Sequence, residues 1–248
     1  MSAVVDLNCD VGEGAGSDAA LMPLITSANI ACGAHAGDPA TIRETLRLAA
    51  AHDVVVGAHP GFRDRRNFGR VEQAIEPAGL IELVQRQLED MEVLAGPALR
   101  HVKLHGALYN QVSRDAVLSR ALADYLSRAW PGLGLFALAN SELWHAARKR
   151  NLRVASEVFA DRTYQGDGSL TPRSRTDALI HDEAAAVAQV LRMVREGKVR
   201  ATDGTDVPIV AETICLHGDG PHAVAFARRL RSELQAAGVR VQAAFAEA

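Results

Sequence analysis

The chain has 248 residues, of which 48% are hydrophobic, and its formal net charge is −3. This is the composition of an ordinary globular protein, and the lack of any run of like charges argues against nucleic acid or an anionic membrane as a partner. No basic, apolar leader and no run of about 18 apolar residues occurs, so we expect a cytoplasmic protein that does not enter a membrane.

Short apolar runs alternate with longer amphipathic segments along the chain. The predicted strands are, in chain order, VVDLNC, ANIACG, VVVGAH, HVKLH, LGLFALA, LRVASEVF, VPIVAETICLH and VRVQAAF. Residues suited to begin a helix precede the helical patterns: Asp38, Glu76, Ser113, Ser141 and Asp182. Gly197 and Gly238 are suited to end one. The alternation predicts seven or eight βα units and a parallel sheet.

No linker or change in composition interrupts these units, so residues 1–248 are predicted to form a single domain. The length is typical of a closed β/α barrel, and a doubly wound open sheet is the alternative. Two long segments without apolar periodicity, residues 59–70 and 160–179, follow predicted strands. Such loops are usually functional, and here they are expected at the C-terminal mouth of the barrel.

The cysteines do not predict a disulfide framework. Cys9, Cys32 and Cys215 are odd in number, and each lies in an apolar, strand-like run. We therefore expect three reduced thiols in the core or beside a site.

Histidines occupy equivalent places at the ends of four predicted strands. Of the nine histidines, His35, His59, His105 and His217 each close an apolar run. Because the carboxyl ends of parallel strands meet at one mouth of a barrel, these imidazoles are expected to converge. A single histidine at a strand end is more often structural, so it is the recurrence that indicates a site.

Other polar residues share the inward face of the same strands. Alternation places on that face Asp6, Asn8, Asp10, Lys103, Glu157, Asp161, Cys215 and Asp219. Burying such a group without a partner costs roughly 2–7 kcal/mol. We therefore expect these groups to pair with one another, bind a metal or receive a substrate.

Several chemistries stay open from the residues alone. A mixed nitrogen and oxygen set that suits Zn²⁺ or Mn²⁺ is offered by Asp10, His35, His59 and His217. Arginines within residues 63–70 could clamp an anion, and the glycine-rich strings DVGEGAGSD and GDGPHAV could present amides to one. The absence of GxxxxGK[ST], HEXXH, CXXC and GXSXG argues against a Walker nucleotide site, a zinc protease, a thiol redox enzyme and a serine hydrolase.

Six strings in this order resemble the LamB/YcsF family: VDLNCDVGEG, NIACGAHAGDP, VGAHPGF, VKLHGALYN, EVFADRTYQGDGSLTPRS and ICLHGD. The resemblance runs from Asp6 to beyond Asp219. It implies a seven-stranded, TIM-like variant of the β/α barrel, akin to the glycoside hydrolase/deacetylase superfamily. It also implies ATP-dependent opening of 5-oxo-L-proline (pyroglutamate) to L-glutamate, with Mg²⁺ arriving with the ATP. The chain would act as the A subunit of a 5-oxoprolinase, with partner subunits B and C.

Lactam hydrolysis needs a base, a donor to the oxyanion and an acid for the leaving nitrogen. As a hypothesis, Asp10 or His59 is the general base, and Lys103 stabilises an oxyanion or a phosphoryl oxygen. His105 or His217 would be the acid. Substrate contacts are expected from the other site residues, Asp6, Asn8, His35, Arg63, Tyr109, Glu157, Asp161, Arg162 and Asp219. Replacing Asp10, Lys103 or His105 is expected to cost orders of magnitude in turnover and to leave the fold intact.

Two rival functions remain open at this point. The first is a stand-alone metal-dependent amidase or deacetylase of the carbohydrate-deacetylase type, which works without ATP. The second is a non-catalytic subunit that presents pyroglutamate to its partners. A resident divalent metal and a homo-oligomer are both left open by the sequence.

Overall fold

The computed structural model describes residues 3–217 and 222–246. The strands in these ranges are β1 (Val4–Val11), β2 (Ser27–Ala31), β3 (Val55–His59), β4 (Leu99–Val102), β5 (Gly134–Leu138), β6 (Val154–Phe159), β7 (Lys198–Arg200), β8 (Asp206–Pro208), β9 (Thr213–His217) and β10 (Arg240–Val241). Seven of these described strands, β1 to β6 and β9, form a parallel barrel that closes where β9 pairs with both β6 and β1. This confirms the predicted seven-stranded β/α barrel and excludes the open sheet.

Helices follow most barrel strands and cover their outer faces. They are α1 (Asp18–Leu21), α2 (Pro39–Ala51), α3 (Pro77–Ala95), α4 (Gly106–Arg114), α5 (Ala116–Ala129), α6 (Glu142–Lys149), α7 (Glu183–Glu196) and α8 (Ala223–Ala236). Within the described ranges, none of them is long and apolar enough to cross a bilayer.

The predicted helix caps are mostly confirmed. Asp38, Ser141 and Asp182 each accept hydrogen bonds from backbone N–H groups in the first turn of a helix. Glu76 occupies the N-cap position of α3 but accepts no such bond, because glutamate lacks the short side chain that suits a cap. The prediction for Ser113 is wrong: it lies in the last turn of α4 and the carboxylate of Asp115 caps α5.

The last two predicted strands differ from the structure. The segment VPIVAETICLH divides, because β8 pairs antiparallel with β7 outside the barrel while β9 enters it. The segment VRVQAAF contributes only the two-residue β10, which pairs with the start of β1.

Alternation along the strands gives the barrel a polar interior. On β1, Asp6 and Asn8 contact Thr213 on the neighbouring β9, and Asp10 contacts Lys103. The apolar residues between them belong to the core that joins the strands to the helices. Cys9, Cys32 and Cys215 are buried and unpaired, as predicted. The barrel interior therefore holds charged side chains up to its carboxyl-terminal mouth.

The interior also contains a buried imidazole against Gly57. His101 pairs through Nε2 with Oδ1 of Asn29 at 2.8 Å, and its ring lies 4.3 Å from that of Phe136. A Cβ on Gly57 would overlap the His101 ring. We therefore expect Gly57→Ala to lower the free energy of unfolding by about 1–3 kcal/mol in chemical denaturation. Gly132→Ala is the control, since its Cβ would meet nothing within 4 Å, and equal effects of the two changes would contradict this.

Candidate active site

Lys103 lies at the centre of a charged cluster directly after β4. Its Nζ atom is 2.8 Å from Oδ1 of Asp10, 3.0 Å from Oε1 of Glu157 and 3.2 Å from Oδ1 of Asn8. The Sγ atom of Cys215 is 2.9 Å away. These partners explain why a lysine only 2% exposed is tolerated inside the barrel.

The electrostatics of this cluster keep both charges in place. Burial alone would lower the pKa of Lys103, but Asp10 and Glu157 hold that pKa well above its ordinary value. Burial alone would raise the pKa of Asp10, but His59 and Lys103 hold it well below its ordinary value. Lys103 therefore stays cationic and Asp10 stays anionic across the neutral range.

One ring nitrogen of His59 faces one ring nitrogen of His105, and the two cannot both lack a proton. Nδ1 of His59 lies 2.9 Å from the carbonyl oxygen of Lys103, and Nε2 of His105 lies 2.8 Å from that of Phe68. These carbonyls assign the N–H groups to the outer nitrogens. The inner nitrogens, Nε2 of His59 and Nδ1 of His105, are 2.9 Å apart, and Oδ2 of Asp10 is 3.3 Å from the former. A proton or another cation must therefore lie between the rings.

His35 and Glu13 complete this histidine cluster. The His35 ring stacks on His105 with centroids 3.7 Å apart, and its Nε2 atom is 3.1 Å from Oε1 of Glu13. The same Glu13 oxygen is 3.4 Å from Nδ1 of His105. Burial lowers the pKa of His35 to about 3 and that of His105 well below its ordinary value. Both rings are therefore neutral at physiological pH.

His217 forms a separate pair with Asp161. Nδ1 of His217 lies 3.1 and 3.0 Å from the two carboxylate oxygens, and Nε2 lies 3.2 Å from a terminal nitrogen of Arg173. Burial alone would raise the pKa of Asp161, but His217 and Arg173 lower it to about 2. The carboxylate therefore fixes the Nδ1–H tautomer and directs Nε2 outward.

A cavity of about 620 Å³ lies over these groups. Its wall includes seven of the predicted site residues: Asp10, His59, Lys103, His105, Tyr109, Arg162 and His217. Of the other lining residues, nine come from the loop after β6, between Gln165 and Ser174, as the aperiodic segment 160–179 predicted. The loop after β3 contributes only Arg70 and Glu72, and most of the rest follow β4 and β5. The volume is in the range of small-molecule sites.

Some predicted substrate-binding residues do not line this cavity. Asp6, Asn8 and Glu157 are buried beneath its floor, and His35 lies behind His105. Glu157 and Asn8 hold Lys103, so we revise their predicted role from substrate contact to support of that lysine. Asp219 lies outside the described residues.

Of the arginines in the loop after β3 that were predicted to clamp an anion, one lines the cavity. Arg63 is exposed and away from the cavity, whereas Arg70 lines it. The reason is a turn at Phe68 and Gly69, whose φ angles of 56° and 61° reverse the chain before Arg70. Arg65 donates instead to the carbonyls of Gly33 and Gly37 and fixes the loop.

Tyr109 and Arg162 both line the cavity, but their polar groups have different neighbours. The guanidinium of Arg162 donates to the carbonyls of Ala178 and Thr171, so it fastens the loop after β6. Burial lowers the pKa of Arg162 to about 10. The Tyr109 hydroxyl is buried next to the carboxylate of Glu157. Burial beside Glu157 raises the pKa of Tyr109 well above its ordinary value, so the hydroxyl keeps its proton.

In the glycine-rich string after β1, the amide of Gly12 is already bound by a carboxylate. The backbone N–H of Gly12 donates to the carboxylate of Asp18 at 2.8 Å, and the Thr45 hydroxyl donates to the same oxygen. The helix that follows has only four residues. Because the carboxylate of Asp18 already accepts from the Gly12 amide, phosphate binding at this amide is disfavoured. Most of the other string, residues 218–221, lies outside the described part of the chain.

Asp6 provides a test of the polar interior. Burial raises its pKa from 3.8 to about 6, against hydrogen bonds from the hydroxyls of Thr213, Thr26 and Ser27. Because the folded chain then holds this proton more tightly than the unfolded chain, the stabilisation is lost as the pH rises through that window. The free energy of unfolding of Asp6→Asn minus that of the wild type should therefore increase by about 3 kcal/mol as the pH rises from about 4 to about 7. A difference that does not vary with pH in denaturation curves would contradict this.

The closed barrel carries a cluster of acid–base side chains at its carboxyl mouth, the place where β/α-barrel enzymes have their active sites. The same architecture occurs in the family 4 carbohydrate esterase from Streptomyces lividans, at a TM-score of 0.53 and 12% identity over 96% of this chain and 91% of that one. The model of the LamB/YcsF family matches residues 5–248, and the chain belongs to this family.

Two similar proteins carry functional names. The A subunit of 5-oxoprolinase from Bacillus licheniformis is 50% identical over 247 residues, which cover 96% of this chain and 98% of that protein. The lactam utilization protein from Thermus thermophilus superposes with a TM-score of 0.88 at 44% identity, over 97% of this chain and 99% of the other.

Proposed function

We propose that this chain is the A subunit of a 5-oxoprolinase and takes part in the ATP-dependent hydrolysis of 5-oxo-L-proline to L-glutamate, with partner subunits B and C. The observation that carries the proposal is Lys103, a buried cation on the floor of a small-molecule cavity beside imidazoles and arginines. The names of the similar proteins from B. licheniformis and T. thermophilus support the substrate class.

Lys103 is suited to stabilise the oxygen of the lactam carbonyl. Its ammonium group lines the cavity, and Asp10 and Glu157 hold it in place. The three N–H donors already face Asp10, Glu157, Asn8 and Cys215, so a substrate oxygen would replace one of these contacts. When water adds to the carbonyl carbon, negative charge develops on that oxygen. A fixed cation in a site with little water stabilises that charge strongly.

His217 is better placed than Asp10 to move protons. The depressed pKa of Asp10 makes its carboxylate a weak base, so its role is to balance the charges of Lys103 and the histidine pair. In contrast, His217 is oriented by Asp161 and lines the cavity. Its Nε2 atom can take a proton from the attacking water and return one to the leaving nitrogen.

ATP coupling follows from the chemistry of the substrate, since a five-membered lactam is not strained enough to open readily. In the glycine-rich string after β1, Asp18 already accepts from the Gly12 amide, which disfavours phosphate at that amide. We therefore assign no step through the nucleotide to the described residues of this chain. Mg²⁺ would arrive with the ATP.

Glutamate release from 5-oxoproline tests the proposal. It is measured with this chain alone, with the two partner subunits, and with the complete mixture lacking ATP. The proposal predicts release only in the complete mixture with ATP. Release by this chain alone without ATP would instead support a stand-alone amidase.

A metal-dependent amidase or deacetylase is the second candidate, and the histidine cluster is the observation that favours it. One ligand atom each from Glu13, His35, His59 and His105 can be chosen so that all four lie within 4.8 Å of one another. The two inner nitrogens that face each other also require a proton or a cation. This donor set fits a zinc-type ion, which would act as a Lewis acid toward an amide carbonyl.

The cluster differs from the metal ligands predicted from sequence. His217 does not join His35 and His59; it groups with Asp10 and Cys215 instead. The reason is topological, because β2, β3 and β4 are neighbours, whereas β9 lies on the other side of β1.

Metal binding can be measured independently of turnover. If this candidate is correct, protein purified without chelator should contain metal by elemental analysis, and added Zn²⁺ or Mn²⁺ should raise its melting temperature. His105→Asn should abolish both effects, and His145→Asn, on the exposed face of α6, should not. Metal-free protein that shows no thermal shift would remove the candidate.

A further inference from the structure

Arg173 stands out among the arginines of the cavity wall. Arg114 is paired with Glu72 at 2.6 Å, and Arg162 donates to backbone carbonyls. The guanidinium of Arg70 lies over the ring of Phe68, 4.9 Å from its centroid. Among the described residues, Arg173 has no carboxylate within ion-pair distance, and its one hydrogen bond goes to Nε2 of His217. A guanidinium has five N–H donors in a fixed fork, so most of its donors remain available to a ligand.

The contact between Arg173 and His217 occupies the atom that the reaction needs. Nδ1 of His217 donates to Asp161, so Nε2 of the neutral ring carries the lone pair. That lone pair accepts the hydrogen bond from Arg173 at 3.2 Å. As long as this contact persists, Nε2 cannot accept a proton from water.

The substrate carries an anionic group at a matching place. In 5-oxoproline the carboxylate is attached to the carbon next to the ring nitrogen. The residue that protonates this nitrogen must therefore lie close to the residue that binds the carboxylate. Arg173 and His217 are in direct contact. A carboxylate also offers the bidentate, charge-assisted geometry that arginine prefers over a neutral imidazole.

We propose that Arg173 binds the carboxylate of the lactam substrate and, in doing so, leaves Nε2 of His217 free to act. This inference rests on the proposed function and names the residue that recognises its substrate. It predicts that Arg173 discriminates between lactams with and without a carboxylate. The loop after β6 thereby becomes the specificity loop, in place of the arginine-rich loop after β3.

Calorimetric titration of this chain tests recognition without requiring turnover. The ligands are 5-oxoproline and 2-pyrrolidinone, which is the same ring without the carboxylate. We expect Arg173→Ala to weaken 5-oxoproline binding by roughly 10- to 100-fold and to leave 2-pyrrolidinone binding unchanged. Arg173→Lys should recover part of the loss as a point charge. The control is Arg175→Ala, an exposed arginine paired with Asp177 in the same loop.

Kinetics with the partner subunits show whether Arg173 binds the carboxylate of the lactam or the phosphates of ATP. We expect Arg173→Ala to raise the KM for 5-oxoproline and to leave the KM for ATP unchanged. A rise in the KM for ATP alone, or unaltered discrimination between the two lactams, would overturn the inference. If the wild type binds 5-oxoproline through Arg173 but releases no glutamate, the proposed function fails and the assignment of Arg173 stands. If the wild type does not bind 5-oxoproline, both fail.

Discussion

Lys103→Met is expected to lower the free energy of unfolding by about 3–5 kcal/mol and to abolish glutamate release. Methionine fills a similar volume but carries no charge. It would leave the carboxylates of Asp10 and Glu157, both buried, without the cation that contacts them at 2.8 and 3.0 Å. The structure thus revises the sequence-based expectation that this change leaves the fold intact. Chemical denaturation gives the stability, and glutamate release with the partner subunits gives the activity.

Two further variants separate charge from packing. The double variant Lys103→Met/Glu157→Gln removes one stranded charge and should recover part of the stability but none of the activity. Arg47→Met breaks an exposed pair with Glu44 and should cost less than about 1 kcal/mol. If Lys103→Met were as stable as Arg47→Met, the buried cluster could not be the support that we describe.

His217→Asn is also expected to have a large effect, which should appear in turnover and not in stability. The side chain is 15% exposed and belongs to the cavity wall, so the stability change should stay within about 1 kcal/mol. Loss of a general acid–base group should lower kcat by roughly 10²- to 10⁴-fold. Asp161→Asn should lower kcat in the same direction by a smaller factor, because the imidazole remains but its tautomer is no longer fixed.

A matched histidine makes this test specific. His181→Asn alters an exposed residue outside the cavity and should leave kcat unchanged. A His217→Asn enzyme with kcat within a few-fold of the wild type would contradict the role of His217 and shift the proton transfer to the histidine pair of His59 and His105.

The barrel and the centre of the site could be predicted because both depend on strand periodicity. Alternation alone places Asp10 and Lys103 in the interior. Strand ends bring His59, His105 and His217 to the cavity, with His35 stacked on His105. The pairing of Lys103 with Asp10 and Glu157 was among the interpretations that the sequence allowed. The pattern does not give distances between side chains across the mouth, so the sequence did not show that His217 lies with Asp10 and Cys215 rather than with His35 and His59.

The residues missed by sequence reasoning lie in loops. Glu13 and Arg173 have no periodic neighbours, so their direction is set by backbone turns and tertiary contacts rather than by a local pattern. Arg70 was among the arginines of residues 63–70 expected to clamp an anion, but the sequence did not distinguish it from Arg63. Nor does any signal in the sequence distinguish Arg173 from the exposed Arg175 two residues later.

The central claim is that Lys103 and His217 act on 5-oxoproline in a complete enzyme. The most direct measurement is ATP-dependent glutamate release by this chain with its two partner subunits, compared among the wild type, Lys103→Met and His217→Asn. We predict release by the wild type that requires ATP and all three chains, and a loss of orders of magnitude in both variants. Release that persists in both variants, or that this chain achieves alone without ATP, would contradict the claim.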